Sequence, residues 1–145
     1  MKIAVAGLFA VMLCTVVHAA GMQTCAVAPI VTKDGGVTEP VAPGQLIVIG
    51  FMGGNVSASN LVHREAMVAK DLKEKNPAAV YAEIFANSDS QAALKTVLQL
   101  LDSNKDGCLS EKEKAAARIV IFGHSWGASE GITLARRLNA MQIPV

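Results

Sequence analysis

The sequence predicts an α/β domain, a parallel sheet with helices flanking it in three layers, and three observations carry that expectation. Two uncharged runs rich in β-branched residues, 46–49 and 119–122, fit strands buried on both faces. Apolar residues at helical spacing fill the intervals around them, and Gly, Asn-Pro and Asp-rich breaks separate the segments. Strands alternating with helices imply parallel pairing through right-handed crossovers.

The chain opens with a segment that reads as an export signal over residues 1–20. Lys2 supplies the positive start, residues 3–17 the apolar stretch, and Ala19, Ala20 and Gly21 the small residues of a cleavage site. The apolar run is short of the roughly 20 residues a spanning helix needs, so no stable membrane anchor is expected. The protein is then secreted or periplasmic. Lys2 is one of 13 basic residues, and without it the remaining basic residues balance 12 acidic ones. A neutral chain with no basic patch gives no footing for nucleic acid.

Residues 21–44 hold Pro29, Pro40, Pro43 and Gly35-Gly36 without periodicity, which reads as a leader or linker. The ordered domain is expected over 45–145. Its first strand covers 46–49 and ends at Gly50. A helix follows over 61–75, capped by Asn60 and stopped by Asn76-Pro77, with Leu61, Val68 and Leu72 facing inward. A second strand spans 79–85, and Ser90 caps a second helix whose Leu94, Val97, Leu98 and Leu101 share one face. The third strand, 119–122, leads into a helix to about Ala140 with Ile132, Ala135 and Leu138 inward. Ile143 begins a fourth strand, and a sheet stopping at Val145 has an open edge that invites association without fixing an oligomeric state.

The junction of the third strand and its helix carries the chemistry. Gly123-His124-Ser125-Trp126-Gly127 places a serine on a sharp strand-to-helix turn, with glycine two residues before and two after it. This pattern resembles the nucleophile elbow of the α/β-hydrolase superfamily, and the resemblance covers 45–145 as the N-terminal half of that fold. It implies Ser125 as nucleophile and the Trp126 N–H as one oxyanion donor, with a second donor from Phe51 or Met52 in the run Gly50-Phe51-Met52-Gly53-Gly54. The substrate class implied is a small-molecule or lipid ester, or another acyl compound. The family's acid and histidine follow the serine, whereas here only one carboxylate, Glu130, and no histidine come after it. The acid and base would therefore lie beyond Val145, and these 145 residues carry half a catalytic site. His124 occupies the variable position of the elbow and reads as a packing residue, and His63 as a pocket-lining or surface residue. The glycines at 50, 53 and 54 match neither phosphate-loop fingerprint.

A second motif precedes the nucleophile strand. Residues 102–113 follow the 12-residue pattern of an EF-hand: Asp102, Asn104 and Asp106 at positions 1, 3 and 5, Gly107 at 6, the Cys108 carbonyl at 7, Ser110 at 9 and Glu113 at 12. These oxygens suit Ca2+ in a structural role. Lys114 stands where an exit helix normally has an apolar residue, and no partner hand exists. The competing expectation is a polar connection in which Asp102 ends one helix and Ser110 with Glu113 caps a short one. Beyond the signal, Cys25 and Cys108 either pair in an oxidising compartment or remain two thiols.

Overall fold

A computed structural model describes residues 38–54, 56–60 and 62–145, together with the backbone of Thr24–Cys25. The segment read as an export signal, Leu61 and most of the stretch read as a leader lie outside the described residues. Nine elements follow in order: β1 (Thr24–Cys25), β2 (Leu46–Phe51), α1 (Arg64–Lys75), β3 (Val80–Phe85), α2 (Ser90–Leu101), β4 (Cys108–Leu109), α3 (Glu111–Ala115), β5 (Ile119–Gly123) and α4 (Trp126–Ala140). The α/β class and the parallel sheet are as expected. The three long strands lie in the order β3-β2-β5, all parallel, with Val48 opposite both Ala82 and Val120.

Two apolar layers sandwich this sheet. On one face Ile47, Ile49 and Phe51 meet Val97, Leu98 and Leu101 of α2 and Leu134 and Leu138 of α4. On the other, Val48 and Ala82 meet Ala69 of α1. The central strand is longer than the sequence suggested because Gly50 does not end it. A Cβ there would fall 2.4 Å from Ile84 Cδ1 and 2.6 Å from Phe122 Cζ, so the flanking strands fill the space a side chain would need. Gly50 is thus an interior residue, kept small by its neighbours.

Both outer helices sit differently from the periodicity reading. In α1 the buried residues are Ala66 and Ala69, Leu72 is partly buried, and Val68 is exposed. Small residues let the helix approach the sheet, and the larger Val68 is left outside. The helix begins at Arg64 with His63 as its cap residue; Asn60 instead closes the preceding turn by accepting from the Val62 N–H at 3.0 Å. Ser90 is the first residue of α2 rather than its cap, which is Asp89. In α4 the buried stripe is Gly127, Gly131, Leu134 and Leu138, while Ile132 is 54% exposed. A Cβ on Gly131 would lie 3.1 Å from Ile121 Cγ2. The glycines therefore form the contact face and turn Ile132 away. Residues 143–145 are not a strand, although Ile143 is buried against the core.

Two elements, β1 and β4, were not foreseen. Thr24 and Cys25, within the stretch read as leader, pair antiparallel with Leu109 and Cys108. Cys108 is disulfide-bonded, and the residue opposite it in this ladder is Cys25. Non-reducing peptide mapping is expected to recover the Cys108 peptide joined to the Cys25 peptide. A free Cys108 thiol would contradict the arrangement. No helix among the described residues is long and apolar enough to cross a membrane.

Candidate active site

Three strands of one polarity place their carboxyl ends along a single edge, where loops carry reactive groups in open α/β sheets. β5 delivers Ser125 to that edge. Its backbone takes φ 55 and ψ −122, a left-handed φ that costs a non-glycine residue about 1–3 kcal/mol. The surrounding packing enforces it. A Cβ on Gly123 would fall 2.5 Å from the Gly127 carbonyl oxygen, and one on Gly127 would fall 2.4 Å from the Phe51 oxygen and 2.6 Å from the Met52 oxygen. The start of α4 therefore lies directly on the end of β2, and only glycine on both sides of the serine permits the turn.

That contact brings the two halves of the expected site together. The elbow and the Phe51-Met52 end of β2 are in van der Waals contact through Gly127. Trp126 is the first residue of α4, so its N–H has no intrahelical acceptor and remains at the helix N-terminus beside Ser125. Met52 departs from the expected role: its N–H donates to the Phe85 carbonyl at 2.9 Å, which ties the end of β2 to β3 and removes this amide as an oxyanion donor. Phe51 lies within the β2 ladder, paired with both Phe85 and Gly123. Gly53, named in the glycine run but not tied there to the elbow, lies against it: a Cβ would fall 2.9 Å from both the Nδ1 and the carbonyl oxygen of His124. The signal was available, since the glycine run and the elbow both end strands at the same edge.

Among the described residues no side chain hydrogen-bonds the Ser125 hydroxyl, and neither His63 nor His124 reaches it with such a bond. His124 is exposed, with Nδ1 3.8 Å from Oε1 of Glu65, a side chain of which only 12% is exposed. The first turn of α1 is thus held beside the elbow. A cavity of about 380 Å³ opens at the other end of the molecule, lined in part by Val41, Ile47, Leu100, Glu113 and Arg118. It is remote from the serine.

The 102–113 loop lies at the opposite edge of the sheet, before β5, a strand of five residues or about 16 Å. Its geometry is closed on itself. Asp102, buried at 6% exposure, accepts from the N–H groups of Asp106 at 3.2 Å and Gly107 at 3.0 Å. Asp106 accepts from the Cys108 N–H at 2.7 Å, and the Asn104 amide donates to it at 2.7 Å. Glu113 is the hub: Oε1 accepts from the Ser103 N–H and hydroxyl at 2.9 and 2.7 Å, and Oε2 from those of Ser110 at the same distances. The Ser110 hydroxyl in turn accepts from the Glu113 N–H, completing a capping box for α3. Lys114 buries its stem and donates to Glu111 at 2.9 Å, which explains how a lysine occupies a position expected to be apolar.

As calcium ligands these oxygens fit in kind, and in this structure they accept from N–H and hydroxyl groups of the loop itself. Both oxygens of Glu113 are already engaged, and no three His, Cys, Asp or Glu side chains among the described residues converge on a point that could hold a metal. Burial opposes the Glu113 charge, yet the bonds from Ser110 and Ser103 outweigh it and lower the carboxyl from its ordinary 4.5 to about 2. A depressed folded-state pKa contributes stability that is present above pH 4.5 and lost as pH falls toward 2. Discounted for solvent screening at this surface loop, the contribution is about 2 kcal/mol. Glu113→Gln is expected to lose that amount at pH 7 and to flatten the fall in stability across this acid range. Denaturant melts at several pH values would check both effects.

Compared with known proteins, the chain matches no family model, no curated protein and no solved structure.

Proposed function

We propose that this chain is an exported serine hydrolase-like protein of the α/β-hydrolase type, acting on a small-molecule or lipid ester or another acyl substrate. The single observation that carries the reading is the left-handed backbone of Ser125 between two glycines that packing keeps free of side chains. Strain of this kind persists where the surrounding structure over-determines it, and it clusters at reacting groups. In this reading Ser125 Oγ attacks the acyl carbon, its proton passes to a base, and the departing alcohol takes that proton. The Trp126 N–H hydrogen-bonds the oxyanion as it forms, a contact worth about 3 kcal/mol in the transition state. In the α/β-hydrolase type that base is a histidine oriented by an acid. Hydrolysis of p-nitrophenyl butyrate by the mature secreted protein is expected to fall by at least about 10³-fold in Ser125→Ala. Unchanged hydrolysis in that variant would overturn the assignment.

A second reading is a secreted, non-catalytic calcium-binding protein on the same scaffold. The complete set of oxygen-bearing positions in 102–113 favours it, with Asp102 buried at the first of them. Calcium would have to draw Glu113 away from Ser103 and Ser110, so binding would be weak, in the submillimolar-to-millimolar range of extracellular modules. At 10 mM calcium a site of about 0.1 mM would stabilise the fold by about 2.7 kcal/mol. The melting temperature is expected to rise with calcium, not with magnesium, and Glu113→Gln to abolish the rise. No response to calcium would remove this reading and leave the first intact.

A further inference from the structure

The cavity remote from the serine, about 380 Å³ in volume, falls in the size range of small-molecule sites, which are largely formed before a ligand arrives. Its walls are tied in place. The Val41 N–H donates to the Leu100 carbonyl at 2.9 Å and the Gln45 N–H to that of Ala42 at 3.0 Å, while the Gln45 side chain accepts from the Ala42 N–H at 3.1 Å. Arg118 donates to the Gly44 carbonyl at 3.0 Å and so fixes its guanidinium beside the same turn. The 102–113 loop contributes Ser103, Ser110 and Glu113, held together by the four bonds of the Glu113 carboxylate. Val41, Pro43, Leu100, Leu101 and Ala116 supply apolar lining.

The charge around this cavity is unevenly answered. Its charged lining residues are Lys112, Glu113 and Arg118. Glu113 is saturated by Ser103 and Ser110, and the neighbouring carboxylates are engaged as well: Glu39 with Lys105, Glu111 with Lys114, and Asp102 and Asp106 with N–H groups of their own loop. Lys112 and Arg118 are exposed, and neither has a carboxylate partner among the described residues. Two cations against one carboxylate leave a single positive charge on the lining, which a monoanion neutralises. We propose that the cavity binds a small amphipathic carboxylate, with its charged group at Lys112 and Arg118 and its apolar body against Val41, Leu100 and Ala116. Arg118 spends one N–H on Gly44, and the rest of its planar fork matches a carboxylate. Arg118 precedes β5 and Ser125 follows it, so this site lies at the opposite edge of the sheet from the elbow and does not rest on the hydrolase reading.

The full chain would be titrated calorimetrically with 2-naphthoate, with its uncharged isostere 2-naphthamide, and with acetate, which has the charge and no apolar body. The expected result is saturable 1:1 binding of naphthoate, at least about tenfold tighter than the amide, and no binding of acetate. Lys112→Gln, at an exposed side chain, and Arg118→Gln should each weaken naphthoate and leave the amide unchanged. Ala116→Phe, which places a ring in the cavity from an exposed position, should abolish binding of both. The melting temperature of each variant shows that it folds. Equal affinities for naphthoate and the amide would overturn the proposal. So would naphthoate binding that survives Ala116→Phe in a folded variant, or no saturable binding of naphthoate to the unsubstituted chain.

Discussion

Gly127→Ala is expected to destabilise the domain by more than about 3 kcal/mol, lowering the melting temperature by roughly 12–24 °C. The added Cβ would stand 2.4 Å from the Phe51 oxygen and 2.6 Å from the Met52 oxygen, and both obstacles are backbone of the central strand. Neither can rotate aside. Relief requires α4 to lift, which withdraws Leu134 and Leu138 from the core they share with β2 and α2. Gly44→Ala is the control: its φ of +83 is unfavourable for alanine, yet nothing lies within 4 Å of the new carbon. That change is expected to cost only about 1 kcal/mol. Comparable denaturation midpoints for the two variants would show that the elbow is not packed as described.

Ser125→Gly is expected to have the opposite sign. Glycine reaches φ 55 without steric cost, so the substitution relieves part of the strain, less the extra entropy glycine loses on folding. A net gain of about 1 kcal/mol follows, or about 4–8 °C in melting temperature. Ser125→Ala keeps the strain and should melt near the unsubstituted chain. Both variants lose any acyl chemistry at position 125. A serine whose removal stabilises the fold is one held there for a purpose other than stability. A loss of stability in Ser125→Gly, measured by reversible thermal melts, would mean that the hydroxyl supports the fold.

Much of the architecture was readable because it rests on local patterns. The runs at 46–49 and 119–122 lack charge, and only a strand buried on both faces suits them. The elbow was readable because Gly123 and Gly127 answer one steric demand at fixed spacing. Helix orientation was readable for α2, whose Leu94, Val97, Leu98 and Leu101 are buried, but only in part for α1 and α4. In α1 and α4 the sheet contacts fall on Ala66, Ala69, Gly127 and Gly131, so close approach decided the buried face and hydrophobicity did not. Periodicity weights large side chains, and it therefore turned Val68 and Ile132 inward. The pairing of Thr24–Cys25 with Cys108–Leu109 escaped for another reason: a two-residue strand has no period, and its partner lies more than eighty residues away in sequence.

The candidate site divides along the same line. Ser125 and Trp126 followed from the motif, whereas the fate of the Met52 amide depended on a bond to Phe85 across the sheet edge, which no local pattern encodes. In the 102–113 loop the alternatives were both visible. Ser110 and Glu113 suit a capping box and a calcium site equally, and the choice between them turns on where the Glu113 carboxylate points. In this structure the carboxylate takes two bonds from Ser110, those of the cap, and two more from Ser103.

The most direct test of Ser125 as the reacting group is site-mapped labelling of the protein with a fluorophosphonate, read by peptide mass spectrometry. The chain has eight serines, and an unactivated hydroxyl does not react at an appreciable rate. The account predicts a single adduct, on the peptide containing Ser125, absent from Ser125→Ala. No adduct at Ser125, or labelling spread across the other serines, would contradict it.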